Sequence, residues 1–321
     1  MNFSVALARH WRRKSPVSVL LIPLAGLYGA IIFLRRWAYR LGICSIYRSR
    51  VPVVIVGNLS VGGTGKTPVV IALTHALRQR GWRPGIVSRG YKGRASRAQR
   101  VSVDSKPDEV GDESILLAQK SGVPVAVCPR RVEAVKLLEA TEVDVILSDD
   151  GLQHLALARA AEIALWGGFG NGLLIPAGPM RETRGRLQSV DLVLGPEEAP
   201  TLHTFTSTLG NAINLVSGER LTLEAFAGET VVAIAGIARP ERFFEALKDR
   251  SIEVSEKVFP DHHRFIAQDI PPAATVLMTE KDAVKCRPFA QPNWWAVELQ
   301  CELPDEFIDR LEELLRQKDA R

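Results

Sequence analysis

The first fifty residues lack aspartate and glutamate entirely, although the same stretch is rich in basic residues. It contains Arg9, Arg12, Arg13, Lys14, Arg35, Arg36, Arg40, Arg48 and Arg50. The whole chain of 321 residues has a formal net charge of +5. Since residues 1–50 contribute nine positive charges, residues 51–321 together are slightly acidic. The basic residues flank an apolar run, and they do not line a folded groove with interleaved base-stacking aromatic residues, which disfavours nucleic-acid binding.

Cysteine is also scarce: the four cysteines lie far apart and include no C-x-x-C pair. Their positions are Cys44, Cys128, Cys286 and Cys301. Such spacing excludes a disulfide framework and a zinc finger, and it indicates a reduced, cytosolic protein. Hydrophobic residues make up 46% of the chain and charged residues 24%, as in an ordinary folded protein. A chain of this length suggests about two domains.

No charge interrupts residues 15–34, which lie between two basic clusters. As a helix, this run would be roughly 30 Å long, about the thickness of the hydrocarbon core of a bilayer. A cleaved signal peptide is disfavoured, because the apolar run is long and an arginine-rich segment follows it. A buried core helix is an alternative, although Pro16, Pro23, Gly26 and Gly29 weaken any helix here. The flanking arginines favour a membrane-associated helix that anchors in the bilayer or lies on it.

The stretch NLSVGGTGKTP, residues 58–68, is typical of a phosphate-binding loop with the pattern G-x-x-x-x-G-K-[ST]. Gly65, Lys66 and Thr67 match the pattern, whereas Ser60 occupies the position of its first glycine. The alternative is a glycine-rich turn with an incidental lysine. The flanking segments favour the first interpretation, because a phosphate-binding loop lies between a buried strand and a helix.

In such a loop, backbone N–H groups and the helix N-terminus attract phosphate, the lysine reaches the β- and γ-phosphates, and the hydroxyl ligates Mg²⁺. Residues 51–56 predict the strand and residues 67–80 predict the helix. The sequence therefore predicts an ATP site. Its residues are Ser60, Gly62, Gly63, Thr64, Gly65, Lys66, Thr67 and Pro68.

Strand-like and helix-like segments alternate from residue 51 to residue 195, the predicted P-loop kinase core. Alternation of this kind predicts an α/β fold like that of P-loop NTPases, with a mostly parallel sheet covered by helices. Residues 196–229 are mixed and polar, which suggests a linker, and residues 230–321 predict a second, smaller α/β domain. Residues 1–50 form the predicted membrane-associating segment.

Asp149 and Asp150 end an apolar run that begins at residue 143. In a P-loop enzyme, the acid that holds Mg²⁺ directly or through water stands at the end of such a strand. The alternative is a strand end followed by a turn cap. The sequence leaves open which of the two carboxylates would contact the metal.

Two acidic or histidine-containing segments are candidates for proton transfer. In the segment GDES, Asp112 is a candidate base. The simpler interpretation is that Asp112 caps the N-terminus of a helix and that the charge of Glu113 interacts favourably with the helix dipole. In the segment DHHRF, His262 could orient a catalytic carboxylate. Zinc is the alternative for this Asp-His-His cluster, but no further ligands follow at metal-site spacing.

Two basic segments are candidates for anion binding, and either is equally explained as a solvated loop. The segment SRGYKG presents Arg89 and Lys92 after a strand end, and the segment MRETRGR begins its three arginines with Arg181. The segment TEKD at residues 279–282 places its lysine one residue too late for the N-K-x-D or T-K-x-D pattern of GTPases. ATP is therefore favoured over GTP.

Eight motifs follow the basic-flanked apolar N-terminus in a fixed order: NLSVGGTGKTP, SRGYKG, VGDES, SDDGLQH, GPMRE, AGIARPERFF, FPDHHRF and MTEKDAVK. This combination resembles the tetraacyldisaccharide 4′-kinase family over nearly the whole chain, from about residue 15 to 300. P-loops are common, whereas SDDGLQH, FPDHHRF and MTEKDAVK together are specific. The resemblance implies phosphorylation of the 4′-hydroxyl of a lipid A precursor, tetraacyldisaccharide 1-phosphate, with ATP and Mg²⁺.

The resemblance also implies roles for individual residues. Asp112 would be the general base assisted by His262, and Lys66 and Arg181 would neutralise developing phosphoryl charge. The implied Mg²⁺ ligands are Thr67, Asp149 or Asp150, and Glu113, and the implied substrate-binding residues are Arg89, Tyr91 and Gln153. Because His262 lies in the second domain, a cleft between the domains would have to close for catalysis.

The family acts at the cytoplasmic face of the inner membrane, which is the location that the resemblance implies. No obligate protein partner is evident from the sequence. Two other classes of function stay open. A P-loop NTPase of the metallochaperone type would need a metal-ligand cluster, and a non-catalytic membrane-associated ATP-binding protein would bind ATP without acceptor-dependent turnover.

Overall fold

A computed structural model describes residues 10–319 except 12, 64, 169 and 200. Its α-helices are α1 (Pro16–Leu20), α2 (Ile22–Arg40), α3 (Lys66–Gln79), α4 (Pro107–Val110), α5 (Asp112–Ser121), α6 (Arg131–Glu139), α7 (Pro240–Lys248), α8 (Glu280–Cys286) and α9 (Asp305–Asp319). Its strands are β1 (Val53–Asn58), β2 (Pro84–Ser88), β3 (Gln99–Val101), β4 (Val125–Val127), β5 (Val145–Asp149), β6 (Ala161–Leu165), β7 (Leu192–Pro196), β8 (His203–Asn214), β9 (Arg220–Leu221), β10 (Thr230–Ala235), β11 (Glu253–Val258), β12 (Val276–Thr279) and β13 (Trp294–Glu302).

These strands form one thirteen-stranded sheet in the order β11-β10-β12-β13-β8-β7-β6-β1-β5-β2-β4-β3, with β9 paired to β8. Strand β1 lies between β5 and β6 and runs parallel to both. Val56 is in register with Asp149, and Val87 is in register with Ser148. Strands β1, β2 and β5 therefore end at the same edge, where α/β folds bind their ligands. The predicted mostly parallel, helix-covered sheet is confirmed.

Strand β1 is buried on both faces, as its apolar sequence predicts. Val54 and Val56 face a core formed with helices α3, α5 and α9. Val53 and Ile55 face a second core formed with helix α6 and the chain around Trp166. Because both faces are covered, only the edge at the strand ends is left to bind a ligand.

Residues 196–229 do not form the linker that their mixed composition suggested. Strand β8 occupies the middle of this segment and joins the two halves of the sheet: residues 203–205 pair in parallel with β7, and later residues pair antiparallel with β13. Its polar sequence explains the error, because a strand that is mostly half-buried lacks the apolar run that marks a core strand.

The terminal helix α9 also departs from the predicted division of the chain. Although it follows the strands of the C-terminal half, Phe307, Leu311 and Leu315 are fully buried in the first core, beside helix α3. Arg80 and Trp82 both bond to Glu312 on α9. The segment 230–321 is therefore not packed as a separate unit, because its last helix covers the P-loop half.

The apolar N-terminal run is divided into α1 and α2 at Leu21. None of the helices in the described part of the chain is long and apolar enough to cross a membrane. Helix α2 contacts the body on one side: Ala25 is buried, and the Tyr28 hydroxyl donates to the Arg181 carbonyl at 3.3 Å. Arg36 pairs with Glu182 at 3.0 Å. This helix is therefore held next to a loop at the ligand-binding edge.

Candidate active site

The phosphate-binding loop runs from β1 to α3 along the edge formed by the strand ends. Ser60 forms an antiparallel bridge with Met180, which ties the loop to the segment containing Arg181. Gly65 has φ 80°, a left-handed conformation that glycine adopts without steric cost. Helix α3 begins directly after it at Lys66, so the loop ends at a helix N-terminus whose free N–H groups attract phosphate.

The middle of this loop lies against the C-terminal half of the chain. A Cβ atom at Gly63 would lie 2.9 Å from the Cβ of Ala238, closer than real Cβ atoms approach each other. Gly62 has φ 121° and no atom within 4 Å of an added Cβ. Gly63 therefore permits close packing, whereas Gly62 permits a backbone turn. Thr64, the remaining predicted loop residue, falls outside the described residues.

Asp150 joins the two cations that were predicted to stabilise phosphoryl charge. Arg181 donates to both oxygens of Asp150, at 2.9 and 3.0 Å, and the Nζ atom of Lys66 lies 3.8 Å from Oδ1. Burial raises the pKa of Asp150, but the charges of Lys66 and Arg181 outweigh burial, and the net pKa is lowered. Asp150 is therefore ionised and holds both cations where the phosphate-binding loop meets helix α3.

Asp149 is in the opposite situation, although it is the adjacent residue. Its side chain is buried, Ser88 donates to Oδ2 at 3.2 Å, and Oδ1 has no hydrogen-bond partner among the described residues. Burial, followed by the negative charges of Glu113 and Asp150, raises the pKa of Asp149 to about 6. A buried carboxylate oxygen that lacks a donor and faces other carboxylates is suited to a divalent cation.

A magnesium ion would need little more from the protein than this carboxylate. No group of three or more His, Cys, Asp or Glu within the described ranges is arranged to hold a metal alone. Mg²⁺ is usually held by one or two carboxylates together with phosphates and water, so Asp149 and the Thr67 hydroxyl fit that requirement. The Glu113 carboxylate instead accepts a hydrogen bond from Lys281 at 2.8 Å. The metal-ligand roles stay predictions.

Asp112 and His262 are in direct contact, although they are 150 positions apart in the sequence. The Nδ1 atom of His262 lies 3.0 Å from both carboxylate oxygens of Asp112, and both side chains are nearly buried. Gly111, and not Asp112, is the N-cap residue of α5. Oδ1 of Asp112 does accept the Glu113 N–H in the first turn of α5, at 2.9 Å, but this bond does not account for the contact with His262. The structure brings Asp112 and His262 together as the resemblance implied.

The charge around Asp112 keeps it ionised. Burial raises its pKa, but the hydrogen bond with His262 and the charges of Lys281 and Lys285 outweigh burial, so the net pKa is lowered. The Nζ atom of Lys285 lies 4.0 Å from Oδ2 of Asp112. Asp112 is therefore a carboxylate at neutral pH, which is the form that accepts a proton.

The three predicted substrate-binding residues have different surroundings. Tyr91 is exposed, and its ring lies 5.2 Å from the ring of His262. Arg89 is exposed at the end of β2. Gln153 is instead bonded within the protein: it donates to the Asn58 carbonyl and to Glu182, and it accepts from Arg181 at 3.2 Å. The geometry places Tyr91 beside the Asp112–His262 pair.

The exit loop after Asp150 lies in a positively charged environment. Burial, and then the charges of Arg131, Arg159, Arg35 and Arg89, lower the pKa of His154 to about 4. Four guanidinium groups are therefore close enough to a single side chain to oppose its protonation. This side of the edge is suited to an anionic ligand.

Sequence reasoning missed three residues at this site. Glu182 pairs with Arg36 and accepts from Gln153 at 3.0 Å, which links helix α2 to the cluster around Asp150. The side chain of Arg131 donates to the Asp150 carbonyl at 2.7 Å. Lys281 contacts both Glu113 and His262. Glu182 and Lys281 lie within the motifs GPMRE and MTEKDAVK, which is the signal that could have identified them, whereas Arg131 lies in none of the eight motifs.

Comparisons with known proteins agree on one family. The family described as tetraacyldisaccharide-1-P 4′-kinase matches residues 17–316. A tetraacyldisaccharide 4′-kinase of Methylobacillus flagellatus is 43% identical in an alignment 331 residues long, which covers 99% of this chain and 99% of that one. The crystal structure of LpxK from Aquifex aeolicus in complex with ATP has a TM-score of 0.79 and 28% sequence identity, and the match covers 93% of this chain and 99% of that one. This chain therefore belongs to the tetraacyldisaccharide-1-P 4′-kinase family.

Proposed function

We propose that this chain transfers the γ-phosphate of ATP to the 4′-hydroxyl of tetraacyldisaccharide 1-phosphate. The contact between Asp112 and His262 carries the proposal, because it supplies an ionised base close to a phosphate-binding loop. Asp112 lies at the same edge of the sheet, because Gly111, the residue before it, packs against the backbone of Gly90 and Tyr91 in the loop after β2. Family membership and the phosphate-binding loop support ATP as the donor.

The transfer needs a base, cations that stabilise the transferred phosphoryl group, and a residue that positions those cations. The 4′-hydroxyl gives its proton to Asp112 while its oxygen bonds to the γ-phosphorus, and the bond between that phosphorus and the β,γ-bridging oxygen breaks to release ADP. Lys66 and Arg181 stabilise the negative charge on the transferred group. Since Asp150 bonds to Arg181 and lies near Lys66, its role is to position these two cations.

Asp149 and Thr67 would hold Mg²⁺, which when bound supplies positive charge to the phosphates of ATP. Asp149 suits this role because its Oδ1 lacks a donor and its pKa is raised by burial and by its acidic neighbours. Asp150 suits it less, because Arg181 already occupies both of its oxygens. Arg89 and Tyr91 would contact the sugar or the 1-phosphate of the acceptor.

The test is transfer of label from γ-labelled ATP to tetraacyldisaccharide 1-phosphate in detergent, with wild type and the Asp112→Asn variant. Asparagine keeps the shape of the side chain but does not accept a proton. We therefore expect labelled lipid from wild type and a transfer rate lower by a factor of about 100 or more in the variant. ATP binding or hydrolysis without labelled lipid would favour a metallochaperone-type NTPase or a non-catalytic ATP-binding protein.

The protein is further proposed to work at the cytoplasmic face of the inner membrane, with α1 and α2 against the bilayer. Large apolar side chains exposed on these helices support this proposal, because apolar stripes bordered by arginine bind anionic bilayers. They are Val19, Leu20, Ile22, Leu24, Leu27, Ile31, Phe33, Leu34 and Trp37. Both partners of the reaction would then be confined to one surface.

Sedimentation with anionic phospholipid vesicles tests this placement. The double change Leu27→Glu and Leu34→Glu should greatly reduce binding to vesicles, because both side chains are exposed and apolar. Leu202→Glu is the matched control, since Leu202 is even more exposed but lies in the body of the protein. Equal sedimentation of all three proteins would rule out α2 as the membrane-binding element.

A further inference from the structure

Lys281 lies behind the imidazole of His262, on the side away from Asp112. Its Nζ atom lies 2.8 Å from Oε1 of Glu113, 3.0 Å from Oδ1 of Asp261 and 3.2 Å from Nε2 of His262. Only 16% of the Lys281 side chain is exposed. Three partners therefore surround one ammonium group, which has three N–H donors.

The ammonium group has no acceptor, so each of these contacts requires that the partner accept. Two partners are carboxylates, and the third is an imidazole nitrogen. The Nε2 atom of His262 must therefore carry a lone pair and no proton. In a neutral imidazole the proton then belongs to Nδ1, the nitrogen that lies 3.0 Å from both oxygens of Asp112.

We propose that Lys281 is a positioning residue for the general base, acting by selecting the tautomer of His262 that donates to Asp112. This inference rests on the proposed kinase function. With the proton on Nδ1, His262 holds the Asp112 carboxylate through a hydrogen bond and keeps its orientation fixed. With the proton on Nε2, the nitrogen facing Asp112 would present a lone pair to a carboxylate, which is repulsive.

The local fold holds Lys281 in place for this task. Thr279 caps α8 by accepting from the Asp282 N–H at 3.2 Å, so the helix begins at Glu280 and Lys281 lies in its first turn. Asp282 is fully buried and accepts from the Gly236 N–H at 2.8 Å. Helix α8 is therefore attached at its start to the loop after β10, and the ammonium group projects from a fixed backbone.

His262 itself is held in an unfavourable backbone conformation. Its φ is 61°, a left-handed value that is uncommon for residues other than glycine. Strain of this kind persists where surrounding contacts determine the position of a residue, and such positions cluster at functional sites. Here the imidazole contacts Asp112 through Nδ1 and Lys281 through Nε2, and these two contacts hold His262 in its backbone conformation.

The first measurement compares wild type, Lys281→Met and Lys281→Arg in the phosphate-transfer assay. Methionine keeps most of the volume but donates no hydrogen bond, so we expect kcat to fall about 10- to 100-fold while the KM for ATP changes less than about 2-fold. Arginine keeps the charge and the donors and should recover part of the rate. A rate for Lys281→Met equal to that of wild type overturns the inference.

Lys120→Met is the matched control. Lys120 also bridges α5 to the C-terminal half, through Glu280 at 2.8 Å and Glu298 at 2.7 Å, but its ammonium group pairs with neither Asp112 nor His262 in the described part of the chain. We expect it to affect thermal stability without a comparable loss of kcat. If both lysine variants lose kcat equally, Lys281 acts by joining the two halves, and the proposed tautomer selection is wrong.

A spectroscopic measurement separates tautomer selection from a structural role. Nitrogen-15 NMR of histidine-labelled protein distinguishes a protonated Nδ1 from a protonated Nε2, and the His262→Gln variant assigns the signal. We expect the Nδ1–H tautomer in wild type and a shift toward Nε2–H in Lys281→Met. An unchanged tautomer overturns the inference even if kcat falls. Absence of labelled lipid from wild type would instead refute the kinase function itself.

Discussion

Asp149 and Asp150 show how much the surroundings of a residue decide its chemistry. The two are adjacent in sequence, yet burial and acidic neighbours raise the pKa of Asp149 to about 6, whereas Lys66 and Arg181 help to lower that of Asp150. The sequence could not assign the metal-binding role to either. The unpartnered Oδ1 of Asp149 and the paired oxygens of Asp150 are tertiary facts.

Asp149→Asn should stabilise the ligand-free protein at neutral pH. A carboxyl group whose pKa is raised from 3.8 to about 6 destabilises the folded state above pH 6. That penalty is roughly 3 kcal/mol and declines as the pH falls through 6 toward 4. Thermal unfolding without Mg²⁺ or ATP should therefore show a higher Tm for the variant at pH 7.5, and the difference should shrink at pH 5.

The same variant should lose most phosphate transfer, because asparagine supplies no negative charge to a divalent cation. Ser88→Ala is a suitable comparison, since it removes only the hydrogen bond to Oδ2. An Asp149→Asn protein that is less stable than wild type at pH 7.5 would contradict the account of Asp149 as a buried, ionised carboxylate whose Oδ1 lacks a hydrogen-bond donor.

At the scale of elements, helix α2 is connected to the active site through Glu182. Its carboxylate accepts from Arg36 on α2 and from Gln153 at 3.0 Å each, and Gln153 in turn accepts from Arg181. The Glu182 side chain is 6% exposed, so this is a buried ionic connection. Helix α2 and Arg181 are therefore joined by one set of contacts.

Glu182→Ala should destabilise the protein by about 3 kcal/mol, because it removes the carboxylate that pairs with Arg36 and with the buried Arg186, and one of the two acceptors of the Gln153 amide. It should also slow phosphate transfer, since Gln153 no longer holds Arg181. Chemical unfolding and the transfer assay measure the two effects. Glu313→Ala is the control: its pair with Arg310 is exposed, so we expect a change within about 0.5 kcal/mol. Equal stability of the two variants would refute this role.

Most elements were predictable because they carry apolar runs. Strands β2 and β6 match the bounds 84–88 and 161–165 that their apolar runs predict. Strands β1, β5 and β7 begin two residues after the predicted starts at residues 51, 143 and 190. Strand β8 was missed because its polar residues alternate with few apolar ones. Residues 304–318 predict a terminal helix, as α9 shows, but they do not predict its packing partner, because an amphipathic pattern shows which face of a helix is buried and not what covers that face.

At the scale of the whole molecule, the two halves share both a sheet and a core. Strand β8 joins the strands of both halves, and α9 returns to the first core. We therefore expect a single cooperative thermal transition and not two separate ones.

Phe307→Ala tests this expectation. Phe307 is fully buried on α9, so its truncation should cost about 3 to 5 kcal/mol and lower the Tm of the whole protein. Calorimetry should show one shifted transition. Leu202→Ala is the control, because Leu202 is 89% exposed and its loss should change stability little. Two resolved transitions, only one of them shifted, would show that the halves unfold independently.

The sequence by itself determined the α/β class, the phosphate-binding loop and the candidates Asp112 and His262, because each depends on residues that are adjacent or on motifs in a fixed order. The tertiary structure decided which candidates meet. Asp112 and His262 come into contact only when α5 and the loop after β11 are folded together, and Lys281 acquires a role only beside them. Hydrogen bonds and pKa shifts depend on distances of a few ångströms, which local sequence patterns do not encode.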